Sequence, residues 1–219
     1  MSGEKDIAIL MADLTGYTAM TEVHGALSAA TIVEKYLELA EKAMFGESRL
    51  LERVGDQLVI VSDSADDIAF TALRLMQHTS EEPNFLSIHA GLHFGPVLEM
   101  AGSFFGNSIN LTARIAAMAK RNNLLCSMEF VNTVREKSKF NFKEIGKVQL
   151  KNIKLPVHLA ELLPLAKHDF SQIHIDSVCH MAVEANSVHH YTYKEVKYYF
   201  CSKKCMQTFL EDPDQLVQH

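Results

Sequence analysis

Two aspartates stand where a chain can bring carboxylates together. Asp13 closes a short apolar run, Ile7-Ala8-Ile9-Leu10-Met11, and Asp56 follows Gly55 between two short β stretches. At adjacent strand ends such a pair makes a hard, oxygen-rich site suited to Mg²⁺ or Mn²⁺ bound to phosphates. The same residues also fit a plainer reading, in which Asp13 caps the next segment and Gly55-Asp56 only turns a hairpin. Asn110 and Arg114 lie four apart in a helical stretch and so share one helix face. A third group is sulfur: Cys179, Cys201 and Cys205 are spaced C-x21-C-x3-C. Three thiolates and an imidazole make a tetrahedral zinc shell, and soft sulfur ligands also accept Cu(I). His180, His189 and His190 are candidates for the imidazole. The plainer alternative is a set of reduced, small, apolar core thiols.

The elements that must position these residues follow from periodicity. Asp6–Met11 reads as a buried strand. Beyond Gly25, Ala30, Ile32, Val33, Tyr36, Leu37 and Leu39 recur at helical spacing. Leu50–Ser62 reads as a hairpin around Gly55-Asp56, and Ser64 caps a helix running to about Thr79. Phe85–Phe94 and Val97–Met100 read as a strand pair turning at Gly95-Pro96. Asn107–Lys120 is expected to be helical, Leu124–Met128 a strand and Val131–Lys137 a short helix. Phe142–Lys151 and Val157–Leu163 form a last strand pair. The result is an α+β sandwich, mostly antiparallel, with helices on one side. Cys126 is expected to be a buried strand residue. His89 and His93, about 13 Å apart on a strand, are too distant to share an ion and read as structural.

Composition narrows the function classes. A net charge of −6 argues against general nucleic-acid binding. No apolar run reaches the roughly 18 residues of a membrane span, and the first residues are not those of a secretory signal. A cytoplasmic protein is expected. Cysteine and histidine crowd the C-terminal quarter, which marks a second small module. About forty residues bury too little to fold reliably alone, so a metal or a docking surface is needed there.

Five segments taken together resemble the class III adenylate and guanylate cyclase catalytic domain. They are Ala12-Asp13-Leu14-Thr15-Gly16-Tyr17-Thr18, Gly55-Asp56, Ile88–Val97, Phe105–Arg114 and Gly146–Val157, in family order. The resemblance implies the ferredoxin-like cyclase sandwich over residues 1–163. It implies two ions, Mg²⁺ or Mn²⁺, held by Asp13 and Asp56, with Asn110 positioning the ribose and Arg114 answering charge on the α-phosphate. Lys151 matches the lysine that meets the terminal phosphates. It further implies a nucleoside triphosphate substrate and a homodimer in which one subunit supplies the aspartates and the other Asn110 and Arg114. All five residues are present, which argues against an inactive nucleotide sensor or a protein devoted only to metal handling.

Two family positions that read the base depart from the common adenylate pattern: Glu52, where lysine is usual, and Ser103, where aspartate or threonine is usual. Guanine offers donors at N1 and N2 and an acceptor at O6, which suits a carboxylate with a hydroxyl. The expected order is GTP, then ATP, then a pyrimidine triphosphate.

Residues 176–216 resemble the YHS domain, a small treble-clef-like module, on Asp176-Ser177-Val178-Cys179-His180-Met181 and Tyr198–Cys205, and the domain is taken to span 176–219. Ser177 and His180 stand where the family often has proline and glycine. Zn²⁺ or Cu⁺ at Cys179, Cys201 and Cys205 is expected, with a metal- or redox-responsive tail as its consequence. Residues 164–175 read as a linker.

Overall fold

A computed structural model of the chain describes residues 3–100, 102–164 and 173–217. In order, the elements are β1 (Gly3–Leu14), α1 (Tyr17–Ala43), β2 (Arg49–Val54), β3 (Gln57–Ser62), α2 (Ala65–Glu81), β4 (Ile88–Met100), β5 (Ser103–Phe105), α3 (Asn107–Met118), β6 (Leu124–Ser127), α4 (Met128–Thr133), β7 (Asn141–Val148) and β8 (Val157–Leu163). A smaller set follows: β9 (Ile173–Ile175), β10 (Ala182–Glu184), β11 (His190–Tyr193), β12 (Val196–Tyr199), α5 (Lys203–Glu211) and α6 (Pro213–Leu216). The chain divides into two compact units, Met1–Asp13 with Ala40–Met76 and Ile88–Ala166, and Leu14–Leu39 with Gln77–Ser87 and Lys167–His219.

The main sheet has the order β2-β3-β1-β4-β6-β8-β7, with β5 paired to β4. β4 and β6 run parallel, joined through α3, while β1–β3, β2–β3, β4–β5, β6–β8 and β7–β8 are antiparallel. The fold is therefore α+β and mostly antiparallel. Ile7, Ile9 and Met11 pack with Val59, Val61 and Val97, and with Ala116 of α3. Ala8, Leu10 and Ala12, which alternate with them, are equally buried. β1 is thus buried on both faces, as a strand with no polar alternation has no side to give to water, whereas the outer strands β2 and β7 are largely exposed.

β4 departs from the expected strand pair. It continues through Gly95-Pro96 without turning, and the reversal comes later, before β5. Gly91 and Gly95 serve close approach, not a turn. A Cβ at Gly91 would fall 2.6 Å from the Thr112 oxygen and overlap the Ala116 nitrogen. A Cβ at Gly95 would fall 2.8 Å from the Ser108 hydroxyl, which donates to the Pro96 carbonyl. Gly91→Ala is expected to push the α3 backbone off β4 at a cost of about 1–3 kcal/mol. That corresponds to a melting temperature roughly 2–10 °C below wild type by thermal denaturation; an unchanged value would contradict this packing.

Helix boundaries also shift. α1 starts at Tyr17, with Gly25 (φ 83°, ψ 172°) as a non-helical break inside it. α4 starts at Met128, three residues before the expected Val131, because the Ser127 hydroxyl accepts from the Phe130 amide and fixes the first turn. The Ser64 cap is present: its hydroxyl accepts from the Asp67 amide at 3.3 Å.

In the second unit, β9 pairs with β10 and β11 with β12. The last three residues of the expected linker are therefore a strand, while residues 165–172 lie outside the described residues. Phe209 of α5 is fully buried, with the rings of Tyr198 and Phe200 about 5 Å away. Leu86 bridges Met181, and the Ala182 amide donates to the Phe85 carbonyl. This small module thus gains the apolar support that it lacks alone.

Candidate functional site

In the first unit, the sheet register brings the two aspartates to one end. Ala12 lies opposite Leu58 at the end of the β1–β3 register, with Asp13 the next residue of β1 and Asp56 two residues before Leu58. The two-residue loop Gly55-Asp56 closes β2 onto β3 through the pair Val54–Gln57, with Gly55 at φ 65°. A positive φ at the first loop residue is the geometry that favours glycine there. Both aspartates are half-buried. Carboxylates on neighbouring strand ends are the donor set a hard divalent cation takes, so these residues fit the ions that the family resemblance implies. His89 on β4 is held below its usual value by burial, and the charge of Asp56 opposes that shift. An imidazole thus stands within electrostatic reach of Asp56. His93 is buried and pairs through Nδ1 with the Ser127 hydroxyl at 2.7 Å, a structural contact.

α3 divides its residues by face. Ser108, Thr112, Ile115 and Ala116 are buried, while Asn110 and Arg114 are exposed one turn apart. Asn110 lines a cavity of about 570 Å³ together with Glu52 and Ser103, over an apolar floor that includes Met11, Val59 and Phe104. A β-bulge brings Glu52 there. Leu50 pairs with Ile60 and Glu52 with Val59, leaving Leu51 as the extra residue. Leu51 packs into the apolar cluster of β1 and β3, and Glu52 is left for the cavity. Bulges re-aim side chains in this way. Lys151 is exposed in the turn between β7 and β8. Cys126 is fully buried on β6, and burial pushes its thiol well above the usual range.

In the second unit the three cysteines converge. Cys179 and Cys201 Sγ are 3.4 Å apart, and Cys201 and Cys205 Sγ are 3.6 Å apart. The imidazole among them is His24, from α1, with Nε2 3.5 Å from Cys201 Sγ and 3.4 Å from Cys205 Sγ. All four ligand atoms lie within 4.8 Å of one another. His180, His189 and His190 are not in this group. His180 sits at φ 64°, the left-handed turn conformation that suits the glycine often found there, and its amide donates to the Asp176 carbonyl at 2.8 Å. His190 Nδ1 pairs with the Ser187 carbonyl. Hydrogen bonds from Cys179 and Cys205 hold the Cys201 thiol below its usual range.

Sequence reasoning missed two residues here. His24 precedes Cys201 by 177 positions, and nothing in local spacing ties the two. Asp176 lies inside the recognised motif, yet its role is visible only in the fold. Fully buried, its carboxylate accepts from the amides of Val178 (2.8 Å), Cys179 (3.3 Å) and Cys201 (2.9 Å). It thereby fixes the backbone of two of the three cysteines. Burial raises its pKa, and the amides of Cys201 and Val178 pull it back.

The sequence model of the adenylate and guanylate cyclase catalytic domain matches residues 1–161. The chain belongs to this cyclase family. The YHS domain model matches residues 174–219. An uncharacterized protein of Mycobacterium tuberculosis is 31% identical over 122 residues, 54% of this chain and 32% of the relative. An adenylate cyclase of Glutamicibacter nicotianae is 25% identical over 134 residues, covering 61% and 33% of the two chains. The chain thus spans about a third of the length of these relatives. Among solved structures, the adenylyl cyclase CyaB from P. aeruginosa superposes with a TM-score of 0.65 at 16% identity, covering 76% of this chain and 98% of that one. At that identity the likeness is one of fold. Among the described residues, no helix of this family member is long and apolar enough to cross a membrane.

Proposed function

We propose that this chain is a homodimeric nucleoside triphosphate cyclase that converts GTP, in preference to ATP, into a 3′,5′-cyclic nucleotide and pyrophosphate. One observation carries the reading: Glu52, Ser103 and Asn110 line a single cavity, with Arg114 one turn further along the same exposed helix face. Asp13 and Asp56 would hold Mg²⁺ or Mn²⁺. When bound, such ions activate the ribose 3′-hydroxyl and neutralise triphosphate charge.

The remaining work falls to side chains. Asn110 holds the ribose so that its 3′-oxygen faces the α-phosphate, and Arg114 offers a planar fork of donors to the charge that grows there. Lys151 binds the terminal phosphates as a point charge. The Glu52 carboxylate accepts from guanine N1 and N2, and the Ser103 hydroxyl donates to O6. Half of each site comes from the partner, so two copies must meet. Val54, Met100 and Phe105, exposed apolar side chains on β2, β4 and β5, support a covered face there, since each would otherwise hold apolar surface in water.

Incubation of purified protein with Mn²⁺ and each of GTP, ATP, UTP and CTP, with products identified by mass spectrometry, tests the reading. Cyclic GMP should predominate, and no cyclic product from any substrate would refute it. Glu52→Lys combined with Ser103→Asp should move the preference toward ATP by about 10–100-fold in kcat/KM, since one reversed hydrogen-bonding group discriminates by about 1–3 kcal/mol. An unchanged ratio would remove these two residues from base reading.

A further inference from the structure

We infer that His24, Cys179, Cys201 and Cys205 form one tetrahedral Zn²⁺ centre, and that the bound metal anchors the helical segment Tyr17–His24 that begins just after Asp13. The geometry is that of a centre ready for metal. With Zn–S of about 2.3 Å and Zn–N of about 2.0–2.1 Å, a tetrahedron has edges of about 3.8 Å between sulfurs and about 3.5 Å between sulfur and nitrogen. The observed 3.4 and 3.6 Å between sulfurs, and 3.4 and 3.5 Å to the imidazole, fall close to these values. A disulfide needs sulfurs about 2.05 Å apart, and all three cysteines are free. The support behind the ligands is built as well. Asp176 holds the amides of Cys179 and Cys201, and the Ser202 hydroxyl accepts from the Cys205 amide at 3.2 Å.

The anchoring follows from the break at Gly25. Its φ of 83° and ψ of 172° interrupt α1 directly after His24. Tyr17–His24 is therefore a separate piece of about two turns, far below the ~12–15 residues at which a helix holds itself in water. Met20 within it is fully buried, and further anchors lie in the C-terminal module. Beyond the His24 ring, the Lys204 ammonium donates to the Val23 carbonyl. Against Gly16 lies His180, so close that a Cβ on the glycine would overlap the His180 Cβ. Of these anchors the metal is the one that can come and go. Its departure would loosen the stretch of chain that follows Asp13, which would then rest on the buried Met20 and on the Lys204 and His180 contacts. On the cyclase reading, on which this last step rests, metal occupancy then sets how well Asp13 is positioned for turnover.

The test uses the full chain and needs no turnover. Elemental analysis of wild type, purified without added Zn²⁺ and then titrated with it, should give one Zn²⁺ per chain. Co²⁺ substituted at the site should show thiolate charge transfer and the intense visible bands of a tetrahedral complex. His24→Ala should weaken Zn²⁺ at least as much as the 10–100-fold that loss of an outer-shell partner causes. His24→Cys should restore tight binding with stronger charge transfer, which separates ligand loss from misfolding, and His190→Ala should match wild type. Removing the metal should raise amide hydrogen exchange in Tyr17–His24 in wild type at least tenfold. A wild type that takes no Zn²⁺, or a His24→Ala that binds it equally well with an unchanged cobalt spectrum, overturns the ligand set. Exchange in that segment indifferent to metal overturns the anchoring.

Discussion

Arg114→Ala is expected to lower kcat by about 10²–10³-fold, the usual cost of removing one donor aimed at developing transition-state charge, about 2.7–4 kcal/mol. The effect should fall on kcat and leave KM within a few fold, because the charge that Arg114 meets grows mainly as the α-phosphate is attacked. Folding should be untouched: Arg114 is exposed on α3, and exposed substitutions of this kind stay within about 0.5 kcal/mol. Arg114→Lys should recover only part of the loss, since an ammonium supplies charge without the planar fork. Steady-state kinetics on the three proteins at saturating Mn²⁺ would show this. A fall confined to KM would mean that Arg114 binds the ground state and does not stabilise the transition state.

The second large effect is expected at Asp56. Asp56→Ala should reduce product formation by at least about 10³-fold, because the carboxylate would hold ions whose charge stabilisation is worth several kcal/mol. Asp56→Asn should be nearly as inactive, since it keeps the shape and removes the charge. Asp56 sits in a two-residue loop whose closing pair, Val54–Gln57, is made by backbone, so the hairpin should survive either change. Circular dichroism with a product assay separates the two effects. Retained activity in Asp56→Asn would show that the carboxylate is not a metal ligand in turnover.

Legibility from sequence depended on the range of the interactions. β1, β3 and β6 are short apolar runs, and burial on both faces leaves them no alternation, so composition alone marks them. α3 is legible because its buried and exposed positions repeat at 3.6 residues, and that spacing by itself puts Asn110 and Arg114 on one face. Gly95-Pro96 misleads because Gly-Pro is a strong local turn signal. There the decisive interaction is non-local: Ser108 of α3 bonds the Pro96 carbonyl and leaves Gly95 no room for a side chain. The bulge at Leu51 is equally invisible, since two apolar residues before Glu52 read as ordinary strand. Cysteine spacing signals the sulfur cluster. His24, however, lies in a helix whose local pattern carries no metal signal, and only tertiary packing brings it to the thiols.

The central claim is that each catalytic centre is divided between two copies of this chain. Mixing Asp56→Ala and Arg114→Ala subunits, each inactive alone, tests it most directly. If centres are shared, random assortment makes half of the dimers mixed. Each mixed dimer then holds one intact centre of two, so the mixture should regain roughly a quarter of wild-type activity. If both variants fold and exchange subunits yet the mixture stays as inactive as its parts, Asp56 and Arg114 do not act across a dimer interface, and the account is contradicted.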